Sequence, residues 1–328
     1  MIIVTGGAGF IGSALLWQLN SQGLNHLLVV DHLGTGNKWQ NLNKRTFNSF
    51  IHKNDFLAWL ERGSDGVLIE GIFHLGASSS TTETDCDYLM SNNLNYSIKL
   101  WNYCTRNKIP FIYASSAATY GEGDLGFDDD RLVVPKLRPL NPYGFSKQKF
   151  DHWVTMQTQM PPFWAGLKFF NVYGPQEYHK GSQSSVIPQF VPQVQKTGTI
   201  RLFKSYRDSY ADGEQNRDFV YVKDCVKIMA HMFKNATKAQ SGLYNIGSGK
   251  ARSFADLARA VFAAIDHKAP RLEFVDMPEA LRHQYQYHTE AKLTRLREKA
   301  GYHEPMTSLE DGVADYVRNY LLADDRYL

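Results

Sequence analysis

The first twelve residues, MIIVTGGAGFIG (1–12), decide the fold of this chain. They join a short apolar run that favours a β-strand to a glycine-rich turn, and then to apolar residues at helical spacing. The turn fits G-x-G-x-x-G, in which glycines permit a tight bend, close approach of the backbone to a pyrophosphate and close packing of helix on strand. A helix that begins there directs free N–H groups at an anion. The stretch predicts a dinucleotide-binding strand–turn–helix unit, and the alternative is a packing turn without a ligand.

Apolar runs alternate with helix-like segments through the first half of the chain. The runs are Met1–Thr5, Leu27–Asp31, Gly71–Leu75, Pro110–Ser115 and Trp164–Phe170. The helix-like segments are Asp55–Arg62, Tyr88–Arg106 and Tyr143–Thr158. Continuous apolar strands between helices are typical of a parallel sheet that is covered on both faces. We therefore expect an α/β fold with a doubly wound parallel sheet (Rossmann).

The pattern changes after about Gly174, where loops become longer and more polar. The remaining helix-like segments are Phe254–Ile265, Thr289–Lys299 and Leu309–Leu322. We expect residues 1–173 to form the dinucleotide-binding domain with the catalytic residues, and residues 174–328 to form mainly a smaller C-terminal α/β substrate lobe. Segments at about 219–250 are expected to return to the main domain, because Phe219–Val222 and Leu243–Ile246 read as strands that could extend its sheet.

Composition narrows the functional class. The chain has 328 residues, of which 43% are hydrophobic and 21% charged, with a net charge of +3. Clustered basic residues are missing, so we expect no nucleic-acid partner and no membrane partner. Its three cysteines form no CxxC pair, so we expect no metal site and no disulfide framework. The same cysteine pattern favours a reducing cytoplasm. Neither a signal peptide nor a membrane-spanning segment is expected.

The residues after the second apolar run bear on the choice of cofactor. Asp31 ends that run about 20 residues after the glycine turn, where an acid accepts hydrogen bonds from the adenosine ribose and favours NAD. Lys38 and Lys53 follow, and either could pair with the 2′-phosphate of NADP. Both could equally be solvated surface lysines. The residues alone leave these alternatives open.

Three further residues suggest proton transfer. Tyr143 and Lys147 are spaced as Y-x-x-x-K, which places them on one face of a helix. Ser116 follows an apolar strand at the sheet edge where such folds bind ligands. A lysine ammonium near the phenol is expected to lower the pKa of Tyr143. The tyrosine could then take a proton from an alcohol as a hydride leaves to a nicotinamide. Alone, Y-x-x-x-K is a common coincidence.

Together these features resemble the extended short-chain dehydrogenase/reductase family. The glycine turn, Ser116 and the Tyr143/Lys147 pair carry the resemblance, with Asn92 and the segment NVYGP (171–175). The family acts mainly on nucleotide-diphosphate sugars. Its dehydratases have an Asp-Glu pair after the strand-end serines, whereas this chain has AATYG (117–121). The resemblance thus favours oxidation to a ketone followed by re-reduction over elimination of water.

Within that family the chain resembles the ADP-heptose 6-epimerases. The similarity lies in the segments HLGASSSTTE (74–83), YASSAATYG (113–121), FFNVYGPQEYHKGS (169–182) and RDFVYV (217–222). It implies an ADP-heptose substrate that is inverted at C6 through a 6-keto intermediate, for the heptose of lipopolysaccharide inner core. It also implies a catalytic NADP, with NAD less favoured, and a homo-oligomer, a homopentamer in the family. Other nucleotide-sugar epimerases or reductases, and a non-enzymatic dinucleotide sensor or scaffold, are the alternatives.

The resemblance also implies the residues of the site. The catalytic residues are Ser116, Tyr143, Lys147 and Lys180. Those that bind the cofactor are Gly6, Gly9, Phe10, Ile11, Gly12, Asp31, His32, Lys38, Lys53, Leu75, Gly76, Ala77, Ser78, Ser79, Asn92, Lys147, Val172 and Lys180. Those that bind the substrate are Ser116, Asn171, Ser182, Gln189, Phe203, Lys204, Ser205, Tyr206, Arg217 and Tyr285.

Two of these residues have a plain alternative. Lys180 is implied as the second acid/base because the two C6 epimers place their hydroxyls differently. Taken without the resemblance, it is an ordinary surface lysine. Arg217 suits a diphosphate, which a guanidinium binds in bidentate fashion, but it could instead pair with Asp218.

The chain departs from this group at three places. Leu75 stands where Glu is usual and removes a potential cofactor hydrogen bond. Gln189 stands where His is usual and cannot titrate. The loop from Lys204 to Arg217 is longer than usual, which affects the expected substrate contacts more than the chemistry.

Overall fold

The computed structural model describes residues 1–237, 240–282 and 285–328. The strands are β1 (Ile2–Thr5), β2 (Leu27–Asp31), β3 (Ser49–His52), β4 (Gly71–His74), β5 (Phe111–Ser116), β6 (Trp164–Phe169), β7 (Asn171–Tyr173), β8 (Thr199–Phe203), β9 (Asn216–Tyr221), β10 (Gly242–Ile246), β11 (Ala251–Ser253) and β12 (Arg271–Val275).

The α-helices are α1 (Phe10–Ser21), α2 (Lys53–Glu61), α3 (Cys86–Leu89), α4 (Tyr96–Asn107), α5 (Pro142–Thr155), α6 (Ile187–Thr197), α7 (Val222–Lys234), α8 (Phe254–Ala264), α9 (Glu279–Arg282), α10 (Thr294–Glu298) and α11 (Leu309–Tyr316). A π-helical turn, Met90–Asn95, joins α3 to α4, and another, Val317–Leu321, follows α11. Short 3₁₀ turns cover Asn37–Leu42, Ala117–Tyr120, Val134–Lys136 and Tyr178–Gln183.

A seven-stranded parallel sheet forms the main domain, in the order β10-β6-β5-β4-β1-β2-β3. Side chains of β1 alternate between two cores, because successive residues of a strand point to opposite faces. Ile2 and Val4 lie in the buried cluster that includes α1 and α7 on one face. Ile3 packs with α2, α4 and α5 on the other. Helices therefore cover both faces, and the predicted doubly wound fold is confirmed.

Two smaller sheets lie outside the main sheet. One has the order β11-β9-β7 and the other pairs β12 with β8. The strand at Gly242–Ile246 does extend the main sheet, next to β6. The prediction for Phe219–Val222 is wrong, because β9 pairs with β7 and β11 instead. The helix that follows, α7, returns to the main domain and packs against α1.

The predicted helix Thr289–Lys299 is also wrong in its first half, since only Thr294–Glu298 is helical. The backbone N–H of Thr289 donates to the Asn216 carbonyl, and that of Ala291 to the Asp218 carboxylate. These tertiary bonds hold the backbone extended.

Neither a membrane-crossing helix nor a metal cluster is present in the described ranges. No helix there is both long and apolar enough to span a bilayer. Likewise, no group of three or more His, Cys, Asp or Glu side chains in those ranges is arranged to hold a metal ion.

Candidate functional site

The glycine turn forms a cradle that a Cβ atom would fill. Gly6 has φ +68°, and a Cβ there would lie 2.6 Å from the backbone nitrogen of Gly76. A Cβ on Gly12 would lie 2.1 Å from the Gly6 carbonyl oxygen. Gly9 is the N-cap of α1 and offers no side-chain cap to the N–H groups that begin at Phe10 and Ile11. Backbone donors without a competing side chain fit a pyrophosphate.

Asp31 is buried at the end of β2, beside the turn. Its carboxylate accepts hydrogen bonds from the backbone N–H groups of Ala8, at 2.9 Å, and His32, at 2.7 Å. It also accepts one from Lys38 Nζ, at 2.5 Å. Lys38 is therefore held against Asp31 rather than fully solvated.

Lys53 directly follows the end of the neighbouring strand, β3. The register pairs Asp31 with His52, so Lys53, at the start of α2, follows β3 at the same sheet edge. Its Nζ donates to Asn92 Oδ1 at 3.0 Å. Burial lowers the pKa of His32, and the positive charges of Lys38 and Lys53 add to this effect. The surroundings of Asp31 are thus rich in cationic groups.

The segment after β4, which contains the predicted Leu75, Gly76, Ala77, Ser78 and Ser79, lies against the glycine turn. Gly76 N–H donates to Thr5 Oγ1 at 3.2 Å. Ser78 bonds through both backbone groups to the side chain of Asn93, at 2.9 Å each. Asn93, which is buried, also donates to Ser146 on α5. The family resemblance pointed to Asn92 and not to Asn93, although the two form an Asn-Asn doublet.

A buried histidine, also missed, connects this segment to α4. Ser97 donates to the Asn93 carbonyl, so Ser97 Oγ accepts from His74 Nε2 at 2.8 Å. His74 Nδ1 in turn accepts from Thr5 Oγ1 at 2.7 Å. Burial, with Lys147 contributing, lowers the pKa of His74 to about 3. A neutral imidazole therefore bridges β1 and α4. No local sequence pattern predicts this contact, because its residues are far apart in the chain.

Ser116, Tyr143 and Lys147 do come together. Tyr143 and Lys147 lie on α5, and Ser116 ends β5. Burial raises the pKa of Tyr143, while a hydrogen bond with Ser116 lowers it and the Asp151 carboxylate raises it. The expected decrease of the Tyr143 pKa is therefore wrong for this arrangement. Lys147 Nζ donates to the Ala114 carbonyl at 2.9 Å, and burial lowers the pKa of Lys147 to about 8.

Lys180 lies in the 3₁₀ turn Tyr178–Gln183 and is half-buried. Its Nζ lies 5.6 Å from the centre of the ring of Phe10, the first residue of α1. Burial lowers the pKa of Lys180, and the buried Glu177 carboxylate opposes that effect. The interpretation as an ordinary surface lysine does not fit these surroundings.

The predicted substrate residues lie on strands, in a turn, on helix α6 and in a loop. Asn171, Ser182 and Gln189 are exposed. Val172, which was predicted to bind the cofactor, follows Asn171 in β7 and is half-buried. The loop residues are held in place by hydrogen bonds. Lys204 pairs with Asp276 at 3.2 Å. Phe203 ends β8, Ser205 N–H donates to Asp212, and Tyr206 N–H donates to Tyr287.

Arg217 is the most informative of these residues. It is 6% exposed, and its guanidinium lies 4.8 Å from the ring centre of Tyr285 and 5.9 Å from that of Phe254. Its one hydrogen bond within the described ranges goes from Nη1 to the Asn216 carbonyl. Asp218 instead accepts from the backbone at Ser248, Gly249 and Ala291. The alternative of an Arg217–Asp218 ion pair is therefore wrong.

Comparison with known proteins now identifies the family. The family model described as "NAD dependent epimerase/dehydratase family" matches residues 2–247. The chain belongs to this family. It is 52% identical over the full length of both chains to an ADP-L-glycero-D-manno-heptose-6-epimerase from Fusobacterium nucleatum. The predicted relationship to the ADP-heptose 6-epimerases is thereby confirmed.

Solved structures agree with this assignment. An ADP-L-glycero-D-manno-heptose-6-epimerase from Helicobacter pylori has a TM-score of 0.78 at 28% identity, covering 97% of this chain and 95% of that one. A UDP-glucose 4-epimerase from Thermus thermophilus in complex with NAD has a TM-score of 0.74 at 26% identity, covering 96% and 97%.

Proposed function

We propose that the chain is an ADP-L-glycero-D-manno-heptose 6-epimerase that inverts C6 of ADP-D-glycero-D-manno-heptose. The observation that carries this proposal is the 52% identity over full length to an enzyme of that name. Ser116, Tyr143, Lys147 and Lys180 supply the groups that such a reaction needs. We further propose that the product serves lipopolysaccharide inner core and that the enzyme is a cytoplasmic homo-oligomer, pentameric as in its family.

The cofactor we propose is NADP rather than NAD. The family description and the NAD-bound neighbour support a nicotinamide dinucleotide. Lys38 neutralises Asp31, and Lys53 follows the adjacent strand end, so the place of the 2′-substituent is electropositive. A phosphate is favoured there and disfavoured beside a lone carboxylate. Residues 1–173 would hold this cofactor, and residues 174–328 would mainly hold the sugar nucleotide.

Two acid/bases suit inversion at an exocyclic carbon. A nicotinamide dinucleotide held at the glycine turn would supply the hydride chemistry for oxidation at C6 and for re-reduction from the other face. Tyr143, oriented by Ser116, would hold the proton of one epimer's hydroxyl. Lys180 would hold that of the other, because burial lowers its pKa and increases the fraction of neutral amine. Lys147 would stabilise the ionised form of Tyr143 once it turns from the Ala114 carbonyl.

Arg217 supports a diphosphate substrate. Within the described residues the buried Arg217 guanidinium has no carboxylate partner, which is unfavourable in the free protein. A diphosphate would supply the missing anion and two parallel hydrogen bonds. The rings of Tyr285 and Phe254 hold the guanidinium in place for that contact.

The test uses purified protein that retains its own nucleotide. ADP-D-glycero-D-manno-heptose is added without free cofactor, and the configuration at C6 is followed by NMR, with UDP-glucose as the control substrate. We expect inversion of the heptose and no change in UDP-glucose. A nucleotide-loaded sample that leaves C6 unchanged would overturn the proposal. Stoichiometric loss of reduced-nicotinamide absorbance would indicate a reductase, and mass spectrometry of the released nucleotide would identify NADP or NAD.

A further inference from the structure

A buried ion pair lies behind the proposed catalytic residues and has no role in the mechanism above. Asp151 follows Lys147 by four residues on α5, as Lys147 follows Tyr143, so all three lie on one helix face. Asp151 Oδ2 lies 2.6 Å from Lys168 Nζ of β6, and both side chains are 0% exposed. A buried pair of this kind is often no more stabilising than apolar residues of the same size. Its presence at this place therefore requires another explanation.

Both members of the pair bond to the segment that holds Ser116. Asp151 accepts hydrogen bonds from the hydroxyls of Tyr113, at 3.0 Å, and Ser115, at 2.6 Å, both on β5. Lys168 donates to Thr119 Oγ1 at 2.7 Å, and Thr119 donates to the Ser116 carbonyl at 2.7 Å. The pair thus holds the residues on both sides of Ser116.

We propose that the Asp151–Lys168 pair is a positioning element that fixes Ser116 against Tyr143 and Lys147, and that the mutual neutralisation of its charges sets the pH range in which Tyr143 works. The part concerning Tyr143 rests on the proposed function. The electrostatic part does not, because it can be measured on Lys147 without substrate.

The two charges have opposite effects on their neighbours. The Asp151 carboxylate raises the pKa of Lys147, against the larger effect of burial. It raises the pKa of Tyr143 in the same direction as burial. With Lys168 replaced by Met, the Asp151 carboxylate loses its ion-pair partner and keeps its hydrogen bonds from Tyr113 and Ser115. The pKa of Lys147 should then rise. With Asp151 replaced by Asn, the remaining ammonium should lower it.

Other titratable groups near this site stay unchanged in all the variants. On the elements packed against α5, and on β4, they are His74, Cys86, Asp87, Tyr88, Tyr113, Tyr120 and Lys136. The turn Met90–Asn95 carries none. His74 is neutral at the pH of the experiment because its pKa is about 3. Differences between variants therefore report the pair alone.

The experiment is an NMR titration of protein labelled with ¹³Cε-lysine, with Lys147 assigned by loss of its signal in Lys147→Arg. Wild type, Lys168→Met, Asp151→Asn, the double variant and Lys168→Arg are compared. We expect shifts of about one pH unit upward for Lys168→Met and downward for Asp151→Asn. The double variant and Lys168→Arg should return close to the wild-type value.

A second readout is the pH dependence of kcat/KM for epimerisation. Its acidic limb should move to higher pH in Lys168→Met and to lower pH in Asp151→Asn, since Tyr143 acts as its phenolate. A purely structural pair would lower activity in both variants without opposite shifts, and that result overturns the proposal. If Lys168→Met does not fold, the separate variants Asp151→Asn and Lys168→Arg still test the inference. The first should lower the pKa of Lys147 and the second should leave it close to the wild-type value. If the pKa of Lys147 shifts as expected but no sample has epimerase activity, the proposed function is refuted and the electrostatic inference stands.

Discussion

Replacing Arg217 with Met separates a binding residue from a structural one, because the two roles predict opposite changes in stability. The guanidinium is buried and pairs with no carboxylate in the described ranges, so it is a cost to the free protein. Its one hydrogen bond goes to the Asn216 carbonyl, which also accepts from Thr289 N–H. Met at this position should therefore leave no unsatisfied group and should stabilise the free protein by about 1–2 kcal/mol.

The same substitution should weaken substrate binding. Two charge-assisted hydrogen bonds to a diphosphate contribute about 1.5–3 kcal/mol each, so about 3–6 kcal/mol would be lost. This corresponds to a rise in KM of roughly 10²–10⁴-fold. Because the diphosphate is remote from C6, kcat should change less than KM.

The assay combines thermal unfolding of the substrate-free protein, calorimetric titration with ADP, and steady-state kinetics. Arg201→Met is the matched control, because Arg201 is exposed on β8 and pairs only with Glu273 in the described ranges. The control should change neither quantity. If Arg217→Met lowers the Tm and leaves the Kd of ADP unchanged, Arg217 is structural and the reasoning is wrong.

Three further predictions concern the cofactor and the second base. Lys180→Met should reduce kcat by about 10²–10⁴-fold, measured by steady-state kinetics with rates expressed per bound nucleotide, which absorbance after denaturation gives; unchanged kcat would contradict its role. Lys38→Ala combined with Lys53→Ala should weaken NADP relative to NAD in calorimetric titrations, and an unchanged ratio would show that neither lysine reads the 2′-phosphate. Gly12→Ala should purify without nucleotide, because its Cβ would meet a carbonyl oxygen at 2.1 Å, whereas Gly36→Ala, which enters open space, should retain it; equal nucleotide content would refute the cradle.

The pH dependence of the Lys180 step has a definite sign. Burial lowers the pKa of Lys180, so its neutral form is present at lower pH than for an ordinary lysine. We expect the limb of the pH–rate profile that Lys180→Met removes to lie below the usual lysine value. A limb at the usual value would contradict the role of burial.

Local patterns were sufficient for the parts of the fold that are locally encoded. The glycine turn, the buried strands β1, β2 and β4, and the Tyr143/Lys147 spacing all follow from short stretches of sequence. Strand β3 was missed, because Ser49–His52 lies at the edge of the sheet with mostly exposed side chains and forms no apolar run.

What the sequence did not predict depends on contacts between distant residues. His74 meets Thr5 and Ser97 only after the sheet forms. The spacing of Asp151 from Lys147 was visible, but its partner Lys168 was not. The predicted decrease of the Tyr143 pKa was wrong for the same reason. Burial of the phenol and the hydrogen bond from Lys147 to the Ala114 carbonyl both arise only from tertiary packing.

The central claim is that one tightly held cofactor takes a hydride from C6 and returns the same hydride. It is tested most directly with ADP-D-glycero-D-manno-heptose that carries deuterium at C6, incubated in ordinary water with excess unlabelled NADPH. Mass spectrometry and NMR of the inverted product should show the deuterium fully retained at C6. Loss of the label to solvent or to the free NADPH pool would contradict the account.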